Sequence, residues 1–524
     1  MDTGLFSQSD SRVIGSFHYG HAIIAATSND EALELYRNPA LIDSYGGDQA
    51  RIFELLLEAN SIIHERLHFL HSFGTIAGLS LFSERMVASR RFMEAGYHLK
   101  TTGALWTLPL SKAASDPNCP DVIRKLRRYA RSYRVANDMF LAPYSKIAVD
   151  GHTDLPWLDV PVETVGGHGD PKIPAFPLSI DLPQETGSSR PISVLIPLGY
   201  EALVEGIAHS MARSVTEALF PELSAELFVK YGPPRKVRVG TPESDIDEVA
   251  SRTDIYMATD FLISKYLRSK GIAQFARETV VKLSDIALSS TFFSVEDVSD
   301  KDTMIKVQFP GYSLVRALEQ ADPISLEKAE IEYPESIDKI YANILERLSA
   351  GGDWDTVEGS NSLFMAPKIW ESFCAHHITV PLLKSRIENG NKSFYDSTDL
   401  FMTAARMALP RVEVLNGGVK FIGIPEPVKN AWGKQLFVSE IAQQVFADSD
   451  VIFCPRAHPT LPGMDHLDFA GGKCKLNIKR GCGSCIPGQN DFHPPCLFTN
   501  ALKELGFIKP DPREAKSEQT QSQS

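Results

Sequence analysis

Residues 48–74 read DQARIFELLLEANSIIHERLHFLHSFG. Apolar side chains recur there at three- and four-residue spacing for several turns, which predicts an α-helix beginning near Asp48. Its second half carries an anomaly. Between Ile62 and Gly74, three histidines and one glutamate interrupt an otherwise apolar run. Polar rings on a buried helix face are costly unless a partner satisfies them. His64 and His68 are four apart, displaced by only about 40° around the axis, so both imidazoles project from one face. With Glu65 they fit H-E-x-x-H, the arrangement in which two histidines grip a zinc ion and the glutamate holds and deprotonates a metal-bound water. The competing reading is a hydrogen-bonded histidine pair without metal.

His71, seven residues from His64, lies within about 20° of it and shares the ligand face. It stands open between orienting a ligand, donating a proton to substrate, and serving as a core histidine with a backbone partner.

The surroundings of this helix are those of an ordinary globular chain. At 524 residues, 43% hydrophobic and 23% charged, the sequence has room for two or three domains and a sizeable core. A net charge of -13 argues against nucleic acid as the main partner, because phosphate backbones select basic surfaces. The start MDTGLFSQSDSRVIGSF has no basic residues followed by an apolar run, so no secretory signal is expected. No apolar stretch reaches the roughly 18 residues that span a bilayer. The expectation is a soluble, cytoplasmic protein.

Along the chain, VIGSFHYGHAIIAATS is β-branched and aromatic and predicts a strand or two. Helices are expected across DVIRKLRRYARSYRVANDMFL, GYEALVEGIAHSMARSVTEALF, DIDEVASRTDIYMATDFLISKYLRSKG and IAQFARETVVKLSDIALS, and near 336–348, 366–388, 398–407 and 436–446. The stretch 142–199 is rich in Pro, Gly and Asp and reads as an irregular insertion, with short strands at most, placed to lie over a cleft. The fold class is mainly α with minor β (α+β). Five divisions follow: a strand-containing segment 1–45, a catalytic domain 46–290, a helical region 291–430, a Cys-rich module 431–510 and a polar tail 511–524 expected to be disordered.

Two histidines and a water leave a tetrahedral site one protein ligand short. The metzincin pattern is excluded, because His71 occupies its glycine position and Gly74 its final histidine position. The segment EALVEGIAH places Glu201, Glu205 and His209 at four-residue steps on one helical face. Together with HERLH, it resembles the second metal helix of the glutamate zincins, whose third ligand is a glutamate followed by small residues. The resemblance, which covers these two helices only, implies a zinc peptidase with a zincin-like helical metal domain. Carried over by residue, Glu205 is the third ligand, with Glu201 as its competitor. His209 stands where that family often has a carboxylate that orients a histidine, a departure from the pattern. The solvated helix carboxylate remains the competing reading of Glu205. An oxyanion donor is also needed, and Tyr200, Tyr256, Tyr312, His376 and His377 all qualify by residue type.

Glu65 and His68 also make E-x-x-H, the spacing of di-iron helical bundles. EGIAH has one residue too many to supply the second copy, so a di-iron oxidoreductase ranks below zinc.

Five of the seven cysteines lie between Cys454 and Cys496. Cys482 and Cys485 form C-x-x-C, and with Cys474 and Cys496 they predict a closed four-thiolate site, Cys454 being the alternative ligand. Zinc is expected there, an iron–sulfur cluster being the other occupant of four cysteines. The function expected from the whole is a zinc hydrolase acting on a peptide or protein. The alternative is a helical scaffold in which both metal sites are structural.

Overall fold

The computed structural model describes residues 30–141, 198–221, 308–350, 362–388 and 408–453, most of 259–295 and 501–507, and the strands named below, apart from isolated positions within these spans. The chain is mainly helical with minor β structure, as expected. Strands β1 (Gly15–His18) and β2 (Ile23–Ala26) precede α1 (Asp30–Arg37), α2 (Gln49–Gly74), α3 (Ile76–Thr102) and α4 (Asp121–Leu141). Strands β3 (Ala148–Val149), β4 (Glu163–Val165), β5 (Ile173–Pro183) and β6 (Ser189–Pro197) lead into α5 (Tyr200–Leu219) and α6 (Glu278–Ser289). After α7 (Glu335–Ala350), α8 (Ala366–Cys374) runs through a π turn (Ala375–Thr379) into α9 (Val380–Glu388). The hairpin β7 (Arg411–Leu415) and β8 (Gly418–Ile422) precedes α10 (Glu426–Phe446).

Helix α2 begins where the sequence places it. The Asp48 side chain accepts the backbone N–H of Arg51 at 3.1 Å, satisfying a donor that the first turn leaves orphaned. From Glu65 to Gly74 every residue is buried, so neighbours enclose this half of the helix on all sides, its polar residues Glu65, Arg66, His68, His71 and Ser72 included. It ends abruptly at Thr75, whose extended backbone breaks the helix. The Thr75 hydroxyl donates to His71 O at 2.7 Å and accepts from Gly78 N at 3.1 Å, closing α2 and capping α3 at once. Gly78 has to be glycine here, since a Cβ on it would lie 2.4 Å from the carbonyl oxygen of His71.

Helix α2 packs on α5, α3, β1 and β2. The sheet order is β1-β2-β7-β8, with β2 parallel to β7 and the other pairs antiparallel. Pairing β2 with β7 joins the two ends of the chain and carries Glu413 beneath α2. Arg66, inside the HERLH motif, places Nε and a terminal nitrogen 2.9 and 2.8 Å from Glu413 Oε1, and Arg411 Nε reaches the same oxygen at 2.6 Å. All three side chains are buried. At the far end of α2, Arg386 and Asp285 form a two-pronged ion pair of 3.1 and 2.6 Å, fully excluded from solvent. Tyr333 donates to the same carboxylate at 2.6 Å, and Arg386 and Tyr341 both donate to Gly74 O at 3.3 Å. The last carbonyl of α2 is thereby satisfied by side chains.

One apolar core takes side chains from each of the first four expected divisions, from Ala22 through Leu67, Phe293 and Trp432 to Phe507. Within 142–199 the described residues form an antiparallel sheet, ordered β3-β6-β5-β4, in place of an irregular loop. The prolines of IPAFPLSIDLP and SRPISVLIP hide their strand character in the sequence. Helix α3 and the β7–β8 hairpin within the expected helical region were not anticipated. The expected helix at 398–407 and the tail 511–524 lie outside the described residues. No helix among the described residues is long and apolar enough to cross a membrane.

Removing the charge of Glu413 takes away the buried carboxylate that the guanidiniums of Arg66 and Arg411 both touch. Glu413→Gln is expected to lower stability by roughly 3–5 kcal/mol, read from the midpoint of urea unfolding.

Candidate metal centre

Helix α2 supplies two imidazoles and α5 supplies a carboxylate, and the three meet at one point. His64 Nε2 lies 2.9 Å from Glu205 Oε2, His68 Nε2 lies 3.3 Å from the same oxygen, and the two Nε2 atoms are 3.0 Å apart. Zinc holds such ligands at about 2.0–2.1 Å, so adjacent corners of its tetrahedron are about 3.3–3.4 Å apart. The observed triangle is the face of such a tetrahedron, drawn in by a few tenths of an ångström. Two neutral rings cannot put a proton on all three edges at once, whereas a divalent cation can take a lone pair from each of the three atoms. The donor set therefore fits a divalent cation.

Access is graded across the triangle. The His68 side chain is 2% exposed, His64 12% and Glu205 22%, so Glu205 is the most accessible of the three. Burial alone would raise the Glu205 carboxyl, but the His68 and His64 rings around it override that and hold it far below the usual carboxylate range. Gly206 lets the chain at Thr259 approach this turn of α5, since a Cβ there would meet Thr259 Oγ1 at 2.9 Å.

Glu65 is 6% exposed. Its carboxylate joins His64 and His68 in a second set of three donors, all within 4.8 Å of one another. The two sets share both histidines and differ in the carboxylate. Glu205 lies closer to both rings, one of its oxygens being within 3.3 Å of each. Burial pushes the Glu65 carboxyl up to about 8, against the pull of His64 and with help from the Glu205 charge.

The other expected residues separate by position. His71 is fully buried, its ring centroid 6.1 Å from that of His68, outside both donor sets. Burial, then the neighbouring imidazoles of His68 and His64, hold its pKa well below the usual value, so the ring is neutral at neutral pH. Glu201 is one turn before Glu205, partly buried, and pushed up to about 8 by burial and by the Glu205 charge against the pull of Arg85. His209 is one turn beyond, partly buried. Tyr200 is fully buried, its ring stacked on Phe140 with centroids 5.4 Å apart. Tyr312 packs edge-on against Phe309, and His376 and the exposed His377 lie on the π turn, with His377 stacked on Phe373. Tyr256 and the clustered cysteines Cys454, Cys474, Cys482, Cys485 and Cys496 are outside the described residues. Cys119 and Cys374 are buried free thiols.

Two features went unread in the sequence. Arg66 sits inside the motif and clamps the ligand helix to β7, a role that required knowing where Glu413 lies. Arg85 reaches the start of α5 from α3 and bears on Tyr200 and Glu201. Comparisons with protein-family models, with characterised proteins and with solved structures give no match.

The Glu201 carboxyl yields a pH signature. In chelator-treated protein the folded state keeps its proton up to about pH 8, whereas an ordinary carboxyl loses it near 4.5. Between those values the native state binds more protons than the unfolded state, so this group makes stability fall as pH rises. Glu201→Gln is expected to flatten that fall, measured by urea unfolding at pH 5 and pH 8.

Proposed function

We propose that the protein is a zinc-dependent hydrolase of zincin type, acting as a peptidase. The observation that carries this reading is the His64–His68–Glu205 triangle, with edges of 2.9–3.3 Å and one partly exposed side. Two imidazoles and one carboxylate are a donor set used by catalytic zinc, which keeps its fourth position for water or substrate. When bound, zinc supplies Lewis acidity and lowers the pKa of a coordinated water to about 7.

The chain's own residues divide the remaining work. His64, His68 and Glu205 would hold the ion. Glu65 takes the proton from the attacking water and passes it to the departing amine, so the bond broken is an amide and the proton balance closes within one residue. Its buried setting moves its pKa from the ordinary 4.5 toward neutrality, where a general base works best. Arg66 and Thr75 hold the helix that carries three of these four groups. The clustered cysteines Cys474, Cys482, Cys485 and Cys496 belong to a separate structural site in this reading, occupied by zinc or by an iron–sulfur cluster.

The reading makes two demands on variants of the full chain. Glu65→Gln is expected to keep its zinc while losing about 10²- to 10⁴-fold in turnover of a peptide substrate. His68→Ala is expected to lose one metal ion per chain by elemental analysis, leaving any cysteine-bound metal in place. Full zinc occupancy in His68→Ala, or a pair of irons per chain in the wild type, would overturn the assignment. Full activity in Glu65→Gln would leave a structural metal site in a scaffold as the better account.

A further inference from the structure

Helix α4 turns a one-signed surface to solvent. Between Asp121 and Asp138 its sequence, VIRKLRRYARSYRVAN, holds six basic residues and no carboxylate. Ile123, Leu126, Tyr129, Ala130 and Tyr133 are buried, and Phe446 of α10 meets the rings of Tyr129 and Tyr133 with centroids 6.1 and 5.8 Å away. That packing fixes which side of α4 faces out. Arg124, Arg127, Arg128, Arg131 and Arg134 are all exposed. At about 100° and 1.5 Å per residue they fall within an arc of about 120° and form a stripe about 15 Å long.

The stripe is not neutralised within the chain. Lys125, at its edge, pairs with Asp121 at 2.8 Å, whereas none of the five arginines makes an ion pair among the described residues. Arg124 repels Arg127 and Arg128, and Arg131 repels Arg127, Arg128 and Arg134, all at three- and four-residue spacings that weaken a helix. A face that only has to stay wet commonly mixes its signs. Helix α7 does so, with Glu335, Asp338 and Glu346 among Lys339 and Arg347. The stripe also reverses the chain's average, a net charge of -13. Like charges gathered in this way are relieved when a polyanion lies along them.

What the stripe lacks narrows the partner. The large apolar side chains exposed among the described residues are Tyr97, Leu105, Phe292, Ile324 and Ile340, none of them on α4. A protein partner is held mainly by aromatic and apolar anchors, and a bilayer surface by an inserted apolar face. A phosphodiester backbone needs neither, because neutralising its phosphates and releasing their counter-ions supplies the affinity. The guanidinium fork also matches a phosphate through two parallel hydrogen bonds. We propose that the exposed arginine stripe of α4 is a docking surface for a nucleic-acid backbone, held by its phosphates and not by base sequence. This surface is independent of the zinc reading: it makes the average charge a poor guide to one face of the molecule.

Fluorescence anisotropy with the full chain decides the matter, using a short labelled single-stranded RNA of mixed sequence and a DNA duplex of equal length. The tighter of the two identifies the form the stripe prefers. Between about 50 and 200 mM salt, log K should fall with log salt by about 0.7 per phosphate contacted on the single strand and about 0.9 on the duplex. Changing Arg127→Gln and Arg131→Gln together should therefore flatten the slope by about 1.4 on RNA and weaken binding about ten- to a hundredfold at the lowest salt, with no loss in the urea midpoint. Lysine at the same two positions should keep most of the slope. Changing Lys339→Gln and Arg347→Gln together on α7 alters the net charge equally and should leave the slope as it is. An unchanged slope in the α4 variant, or an equal loss in the α7 variant, would overturn the inference. So would a wild-type protein that binds neither probe at about 50 mM salt, or one that binds phosphatidylserine vesicles or poly-glutamate more tightly than both, and these arms need no variant to fold.

Discussion

Three electron-pair donors pointed at one another repel unless something positive stands between them. That constraint governs the centre of this protein. His64, His68 and Glu205 meet with edges of 2.9–3.3 Å, and much of the surrounding structure resists their separation. Helix α2 is tied at its middle by Arg66 to Glu413 and at its end by Arg386 and Tyr341 to Gly74 O. Both ties are buried, and both use charge in a place where water cannot compete. A helix held in this way keeps its imidazoles aimed without a metal, as the proposed site requires.

The sequence distance between the ligands has a structural account. The chain leaves α4, builds the antiparallel hairpin of β5 and β6, and returns directly into α5 at Tyr200. A hairpin brings its ends back together, so a long excursion between His68 and Glu205 costs the site little. Gly78 and Gly206 then set how closely the neighbouring segments approach: one admits the carbonyl of His71, the other the hydroxyl of Thr259. At each of these positions another chain segment occupies the space of a side chain.

What the sequence made legible is what depends on local spacing. The helix from Asp48, the shared face of His64 and His68, and the carboxylate pair on the later helix all follow from a 3.6-residue period. Glu205 was singled out over Glu201 by a resemblance, and the structure brings Glu205, not Glu201, into contact with both rings. What escaped reading depends on long-range packing. Helix α3 carries SERMVASRR, whose charges blur its apolar face, although Ala88, Phe92 and Met93 are buried. Glu413 is an ordinary strand residue until β2 pairs with β7. Arg85 looks like any solvated helix cation until α5 is laid beside it. The strands of 142–199 were masked by prolines, which spoil a local signal without preventing an antiparallel hairpin.

The central claim is tested most directly by diffraction from crystals of zinc-loaded full-length protein on both sides of the zinc absorption edge. An anomalous peak is predicted about 2 Å from His64 Nε2, His68 Nε2 and a Glu205 carboxylate oxygen, with Glu65 near but outside bonding distance. A protein that has taken up zinc yet shows no peak among these three side chains would contradict the account.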